Sequence, residues 1–296
     1  MIILVLRVAI FRVLAVALLV SVAAIPGIGT ALAQTGDVTP KVFSGPLPLS
    51  RGMITSGSPE AVYLSKPDFC RIVTVEWGWD NCDGLEAMVI THVPGVDTTL
   101  VERPNSEGHV SFEDWKGADQ AKVIHDIETD LAAGMKAQGE KIGQKIEFKG
   151  WRVYPTLDEG KNYLVYATDS IWNGEAITNI KATVFDRRGY VVFDIVPVAN
   201  DATEADIRAM VEATIATYKP TADQGYAAFA PGDKVAATGA LGVLAALVGV
   251  KLGKVGLIGL FAVALIALKK GAILVVLPFI WLYRKLRGRK DQGPSA

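Results

Sequence analysis

Two pairs of neighbouring carboxylates are best suited, by type and spacing, to general acid–base chemistry: Glu113-Asp114 and Asp158-Glu159. Adjacent acids on loops are usually solvated, so the sequence assigns neither pair a catalytic role. No nucleophile elbow, phosphate-binding loop or dinucleotide fingerprint occurs in the chain. We therefore predict no catalytic residue and no cofactor site, and the sequence leaves open whether the protein is an enzyme.

The histidines and cysteines do not form a metal-ligand pattern. His92, His109 and His125 are far apart, and none stands at i, i+4 from another or in a cluster with cysteine. The two cysteines, Cys70 and Cys82, are too few for a four-thiolate site. The sequence therefore predicts no metal site.

The same two cysteines raise the question of a disulfide. On one straight strand Cys70 and Cys82 would lie tens of ångströms apart, beyond the roughly 4.4–6.8 Å between Cα atoms that a disulfide allows. A short helix with Pro67 in its first turn, ending near Trp77, would bring them together. The alternation of apolar residues from Val73 onwards favours a strand instead. We favour the helix and treat the disulfide as a hypothesis.

A basic pair stands at the tip of a predicted hairpin. Arg187 and Arg188 precede Gly189, which is free to take the positive φ of a tight turn. The pair could contact a phosphate or an acidic group of a partner, and the alternative is a solvated turn. The formal net charge of the chain is −1, so a nucleic-acid partner, which calls for a strongly basic face, is not indicated.

An antiparallel meander is predicted to position these residues. Strand-like patterns cover residues 85–93, 108–112, 144–155, 161–171, 176–186 and 190–198. An apolar stripe at helical spacing predicts a helix that ends at Gly139 and Gly143, and its members are Ala121, Ile124, Ile127, Leu131 and Met135. A second helix over residues 203–219, capped by Thr203 or Asp201, closes the domain. The predicted fold class is α+β, with two packed helices on one face of an antiparallel sheet.

The N-terminus has the pattern of a secretory signal peptide. Arg7 and Arg12, an apolar run over residues 13–25 and small residues up to Ala33 follow the expected order, and cleavage is predicted after Ala33. The alternative is an uncleaved anchor helix. A flexible leader rich in Gly, Pro and Ser is expected over residues 34–58, and an exported domain over residues 59–232.

The C-terminal part is apolar and rich in small residues. Asp233 is a good N-cap, so a helix is expected to begin near Lys234. Small residues then recur at steps of three and four and would share one helix face: Gly239, Gly242, Ala246, Gly249, Gly253 and Gly256. Such a face allows close helix packing in lipid. We predict a helical membrane region over residues 233–284, with the number of crossings open, and a basic cytoplasmic tail over residues 285–296. The alternative for its first part is a buried helix of a soluble domain.

The stretch "YKPTADQGYAAFAPGDKVAATG" (residues 218–239) resembles the signature of a family of bacterial predicted membrane-anchored proteins, a domain-of-unknown-function family. In that family "YADF" is followed by "DKVAAYG" and a Gly/Ala-rich helix. "GHVSFEDW", "GWRVYP" and "VFDRRGYV" resemble further family motifs in the same order, while Ala228 and Thr238 depart from the signature. The resemblance implies a signal peptide and a membrane-attached C-terminus. It supplies no established activity.

The function predicted from these features is that of a membrane-anchored, non-catalytic binding or assembly module of the bacterial envelope. Its partners would be the lipid bilayer and a membrane or envelope protein. The main domain would lie in the periplasm, attached to the inner membrane. The alternative is an exported, membrane-tethered hydrolase that acts on envelope material. A pocket with convergent ionisable side chains would favour the enzyme, and an exposed apolar patch would favour the binding module.

Overall fold

The structure is a computed structural model that describes residues 38–250, apart from residues 77, 78, 80 and 118. The predicted signal peptide, the basic tail and most of the predicted membrane region, including Gly253 and Gly256, lie outside the described residues. Within the described part of the chain, no helix combines the length and apolarity that a bilayer crossing requires.

An eight-stranded antiparallel sheet forms the centre of the domain. The strands in chain order are β1 (Lys41–Val42), β2 (Leu47–Leu49), β3 (Gly52–Ile54), β4 (Val62–Leu64), β5 (Leu85–Ile90), β6 (Val96–Glu102), β7 (Ile146–Asp158), β8 (Tyr163–Trp172), β9 (Glu175–Asp186), β10 (Gly189–Pro197) and β11 (Tyr218–Pro220). The large sheet has the order β1-β4-β5-β6-β10-β9-β8-β7, and β11-β3-β2 form a small second sheet. The predicted antiparallel meander is confirmed as β7 to β10.

Four α-helices accompany the sheets in the described residues: α1 (Lys66–Arg71), which continues into a wider turn over Ile72–Glu76, α2 (Gln120–Ile142), α3 (Glu204–Thr217) and α4 (Ala240–Leu247). Thr203 caps α3 in a reciprocal capping box with Asp206, which decides between the two predicted caps. Gly143 ends α2 with φ 68°, whereas Gly139 lies within the helix.

Helices cover both faces of the large sheet, which corrects the prediction that they lie on one face. On β8, Val165 and Ala167 belong to the core that contains α3. Leu164 and Tyr166, which alternate with them, belong to the core that contains α2 and α4. Because the meander strands are apolar on both faces, each face has to be covered by another element.

Helix α1 lies on the same face as α2 and α4, at the other end of the sheet. Phe69 packs in one cluster with Met88 and Leu100, whose neighbours Val89 and Val101 face α3. The helical turns after residue 65 allow the chain to fold back, and a disulfide joins Cys70 to Cys82 with their Cα atoms 5.2 Å apart.

One strand prediction was wrong, and some strands were not predicted. Residues 34–58, expected to be a flexible leader, contain β1, β2 and β3. Residues 108–112 form no strand, because His109 makes an isolated parallel bridge to Val235 instead of joining the sheet. Strand β6 was missed, because the buried residues Thr98 and Thr99 interrupt its apolar pattern.

The last described helix begins at Ala240, not near Lys234 as predicted. The carboxylate of Asp233, expected to cap it, is bonded to Arg187 instead. The boundary predicted at residue 232 therefore falls inside the folded domain, because α4 contributes buried Leu241 and Leu244 to the core.

The small residues of this region do not share one helix face in the described chain. Gly239 is the N-cap of α4, and Gly249 lies beyond its end with φ 76°. A Cβ on Gly242 would lie 2.4 Å from Cβ of Thr238, so Gly242 packs against its own domain. Ala246 is on α4. A membrane-packing role for these residues stays a prediction.

The disulfide gives a direct test of this end of the sheet. Cys70→Ser should lower the free energy of unfolding by about 3 kcal/mol, because the bond closes a short loop and restricts the unfolded chain. Denaturant unfolding of the full-length protein in detergent measures the effect. Reductant should bring the wild type to the value of the variant and leave the variant unchanged. A wild type indifferent to reductant would contradict the disulfide.

Candidate functional site

Residues 221–239, which we call the closing segment, return from the small sheet to the face of the large one. The N–H of His109 donates to the Lys234 carbonyl at 2.8 Å, and the N–H of Ala236 donates to the His109 carbonyl at 2.9 Å. Gly108 permits this approach, because a Cβ there would lie 2.6 Å from the Val235 carbonyl carbon. The closing segment is thus paired with the main chain of residues 108–109.

A stack of aromatic rings holds the same two segments together. Successive ring centroids are 4.1, 4.2, 4.7 and 5.1 Å apart along the order Phe229, His109, Tyr226, Phe112 and Phe185. The hydroxyl of Tyr226 also donates to the Val110 carbonyl at 2.6 Å. The aromatic residues of the "GYAAF" motif therefore have a structural role, because they enclose His109 and extend the core from β9 to the surface.

Arg187 is engaged inside the domain. Its Nε and Nη2 donate to the two carboxylate oxygens of Asp233 at 2.7 and 2.8 Å, and the N–H of Ala230 also donates to Asp233. These hydrogen bonds, first that from Arg187, lower the pKa of Asp233 to about 2. Of the two arginines proposed as partner contacts, Arg187 thus fixes the closing segment. Arg188 is exposed, and its contact with a partner remains a prediction.

The hairpin that carries Arg187 rests on a buried ion pair. Nη1 of Arg51 donates to both oxygens of Asp186 at 2.8 and 2.6 Å, and the Asp186 side chain is only 1% exposed. The N–H of Arg188 donates to the same carboxylate at 2.7 Å, and Nη2 of Arg51 reaches the Ser106 hydroxyl at 2.6 Å. The Asp186 carboxylate thus accepts hydrogen bonds from both the Arg51 side chain and the Arg188 main chain, and charge-assisted bonds of this kind orient the hairpin tip.

Asp114 supplies the missing cap of α4. Its carboxylate accepts the N–H of Leu241 at 3.0 Å, and a Cβ on Gly239 would lie 2.4 Å from that carboxylate. Burial raises the pKa of Asp114 to about 6, although hydrogen bonds from the first turn of α4 act in the opposite direction. An acid that the sequence pairs with Glu113 is therefore a long-range helix cap.

The other acids of the two predicted pairs are solvated. Glu113 is exposed, and Glu159 pairs with Lys116 at 2.9 Å. The carboxylate of Asp158 accepts the N–H of Lys161 at 2.9 Å within a turn. Nζ of Lys116 lies 2.9 Å from Glu159 and 4.0 Å from Glu113, so one acid of each pair meets at the same exposed lysine.

The histidines are placed apart from one another. His92 is fully buried, and burial lowers its pKa to about 4, so the ring is neutral at pH 7. His125 is exposed on α2, with Nδ1 3.9 Å from Glu128. In the described part of the chain, no three His, Cys, Asp or Glu side chains lie close enough together to hold a metal.

A groove of about 560 Å³ opens between α4 and the chain that follows β6. It was not predicted, because its lining comes from four separate parts of the sequence: Glu102, Arg103, Pro104, Asn105, Ser106, Lys181, Tyr190, Val192, Ala246 and Leu247. One side is polar and charged, and the other is apolar. Its volume falls within the range of about 300–1,000 Å³ typical of small-molecule sites.

Lys181 lines this groove and is shared by two carboxylates, one from the lining residue Glu102 and one from Asp194, which does not line the groove. Nζ of Lys181 lies 2.9 Å from Oε1 of Glu102 and 2.5 Å from Oδ1 of Asp194. Burial alone would lower the pKa of Lys181, but the charges of Asp194 and Glu102 outweigh it and raise that pKa. Burial, with the charge of Glu102, raises the pKa of Asp194 to about 6 against the attraction of Lys181. At neutral pH Lys181 is therefore a charged ion-pair partner and cannot act as a base.

The fold and these sites define an α+β domain, built on a large antiparallel sheet, with a closing segment that attaches the last helix. The chain belongs to the family described as "Protein of unknown function (DUF2167)", whose sequence profile matches residues 46–280.

The solution structure of cyanobacterial PsbP (CyanoP) from Synechocystis sp. PCC 6803 is a similar solved structure. It is 9% identical and has a TM-score of 0.30, and the match covers 67% of this chain and 98% of that one. At this level of likeness it says nothing about activity. No curated protein matches the chain.

The Asp114 cap predicts a specific dependence of stability on pH. The pKa of Asp114 rises from 3.8 in its ordinary state to about 6 in the fold, so the folded protein binds more protons between these values. Its contribution to stability is fully present below pH 3.8 and is lost as the pH rises through 6. In Asp114→Asn the amide oxygen still accepts the Leu241 N–H, but the side chain no longer titrates. The pH-dependent loss of stability due to Asp114 should therefore disappear in this variant.

Denaturant unfolding of both proteins across this pH range measures the difference. The stability of the wild type minus that of Asp114→Asn should fall as the pH rises. Asp130→Asn, which changes an exposed acid on α2, is the matched control and should leave the pH profile unchanged. A constant difference between wild type and Asp114→Asn would show that Asp114 is not a buried cap.

Proposed function

We propose that this chain is an exported, membrane-tethered and non-catalytic module of the bacterial envelope. The folded domain would lie outside the inner membrane and the basic tail in the cytoplasm. Its partners would be the bilayer and a membrane or envelope protein. The observation that carries this proposal is the attachment of α4 to the domain, because a further apolar piece of the sequence begins at Val255, soon after this helix.

The closing segment gives the module a fixed orientation. Helix α4 ends at Leu247 and the chain turns at Gly249. In the sequence, Lys251 and Lys254 precede the apolar piece that begins at Val255. Helix α4 is packed in the core and its N-terminus is bonded to Asp114, so the domain holds the chain up to the end of this helix. A domain joined in this way would present a constant face of the sheet to the membrane surface.

A non-catalytic role is supported by the state of the ionisable groups. Lys181, which lines the groove, is held by two carboxylates, those of Glu102 and Asp194. Arg51 and Asp186 likewise satisfy each other inside the domain. A general base or an activated nucleophile needs a group free to exchange a proton near neutral pH. Among these groups Asp194, with a pKa of about 6, titrates nearest to neutrality, and its carboxylate is engaged with Lys181.

The groove itself favours a second candidate, the membrane-tethered hydrolase, because it brings Glu102, Lys181 and Tyr190 together in a cavity. Asp194, whose pKa is about 6, would be its candidate acid. Incubating purified full-length protein with labelled murein and phospholipids tests this candidate. Release of soluble product that depends on Asp194 would favour the enzyme, and no release above buffer supports the binding module.

Location tests the main proposal. The full-length protein should sediment with membranes and resist extraction by alkaline carbonate, because its C-terminal region would be held in lipid. In intact spheroplasts, a membrane-impermeant amine reagent should modify Lys122, an exposed residue of α2. A cytoplasmic protein should stay unlabelled in the same sample as a control. Full-length protein that remains in the supernatant without detergent would overturn the proposal.

A further inference from the structure

The groove combines a charged floor, an apolar wall and a polar rim, three surfaces that suit an amphiphilic ligand. Its floor carries Glu102 and Lys181, and Lys181 also pairs with Asp194, which does not line the groove. Its apolar wall is formed by Val192 and Leu247, beside Ala246. Helices cover the sheet on either side, so the groove is an opening in an otherwise covered face.

The floor of the groove has an excess of negative charge. Glu102 and Asp194 supply two carboxylates, and Lys181 supplies one ammonium, so one negative charge is left over. The three side chains are only 21–33% exposed, which limits how far water screens that charge. A second cation with N–H donors would complete the set of charge-assisted hydrogen bonds.

The rim has the opposite charge. Arg103 follows Glu102 directly, its side chain also lines the groove, and the residue is exposed. No ion pair to Arg103 occurs among the described residues. A guanidinium with its donors free is suited to a phosphate group, and the neighbouring Asn105 amide adds a further polar group to the rim.

We propose that this groove binds the headgroup of a phospholipid that carries a primary amine. The ammonium lies at Glu102, the phosphodiester at Arg103, and the first methylenes of the lipid against the apolar wall. A zwitterionic headgroup matches a site that has a negative floor and a positive rim, whereas a purely anionic headgroup would meet the surplus carboxylate.

A lipid is favoured over a peptide by the position of the groove. Leu247 lines it, and the described chain ends three residues later at Val250, shortly before the apolar piece of the sequence that begins at Val255. The inference rests on the proposed function to this extent: a domain held at the membrane surface would have phospholipid headgroups beside this wall. A lipid bound here would fix the domain against the bilayer at a second point.

Short-chain lipids test the proposal on the full-length protein in detergent. Titration with dihexanoylphosphatidylethanolamine should give saturable binding by native mass spectrometry. The choline analogue has the same net charge but no N–H on its nitrogen, so it should bind about tenfold more weakly, the effect of losing one charge-assisted hydrogen bond. Phosphatidylglycerol of the same chain length should also bind more weakly.

Variants assign the binding to the groove. Glu102→Gln should weaken binding of the ethanolamine lipid about tenfold and bring it close to the choline lipid. Arg103→Gln changes an exposed side chain and should weaken binding of both lipids without affecting the fold. Glu60→Gln, which alters an exposed acid that does not line the groove, is the matched control.

Equal affinity for the ethanolamine and choline lipids would overturn the proposal. So would tighter binding of phosphatidylglycerol, binding of an amine-bearing peptide but no lipid, or affinities that Glu102→Gln and Arg103→Gln leave unchanged. Because the titration uses soluble lipids, its failure with a protein that still sediments with membranes would count against this site alone.

Discussion

The structure depends on one constraint: the meander sheet has apolar side chains on both faces, and each face has to be shielded from water. Helix α3 covers one face together with the small sheet. The other face needs both α2 and α4, so the chain has to return across the domain after β11 before it can continue. The closing segment is the consequence of this requirement, and its contacts are the means by which the return is fixed.

Those contacts differ in kind, and together they leave little freedom. The ring stack contributes apolar burial, the Arg187–Asp233 pair contributes directed hydrogen bonds, and Asp114 satisfies the helix end. Close backbone approach also explains why glycine stands at residues 108 and 239, where a Cβ would collide with the opposite segment. A segment that resembles a membrane-family signature is, in this structure, the part that completes the core and carries the chain towards its apolar end.

The sequence was informative where structure is determined locally. The strands β7 to β10 and the helices α2 and α3 were predicted because their periodicity lies within one stretch of chain. The sequence of β8 also indicated that both faces of the large sheet are covered, because residues 164–167 are apolar without alternating with polar residues. Helix α4 was misplaced because the cap signal at Asp233 is local, while the Arg187 that binds it lies 46 residues away.

The candidate site was beyond sequence reasoning for the same physical reason. The groove joins the end of β6, the middle of β9 and β10, and α4, and nothing in the spacing of these residues indicates that they meet. Asp114 was recognised as a chemically capable acid, but its partner is the backbone of a helix 127 residues later. Long-range pairing decides which acids are solvated and which are structural.

Hydrogen exchange of the full-length protein in detergent tests most directly whether α4 belongs to the domain. The amides of residues 243–247 should exchange as slowly as those of β9 and β10, in one cooperative unit, because the helix is part of their core. Fast exchange at α4 beside a protected sheet, or protection that persists after the sheet has unfolded, would show that this helix is independent of the domain and would contradict the account.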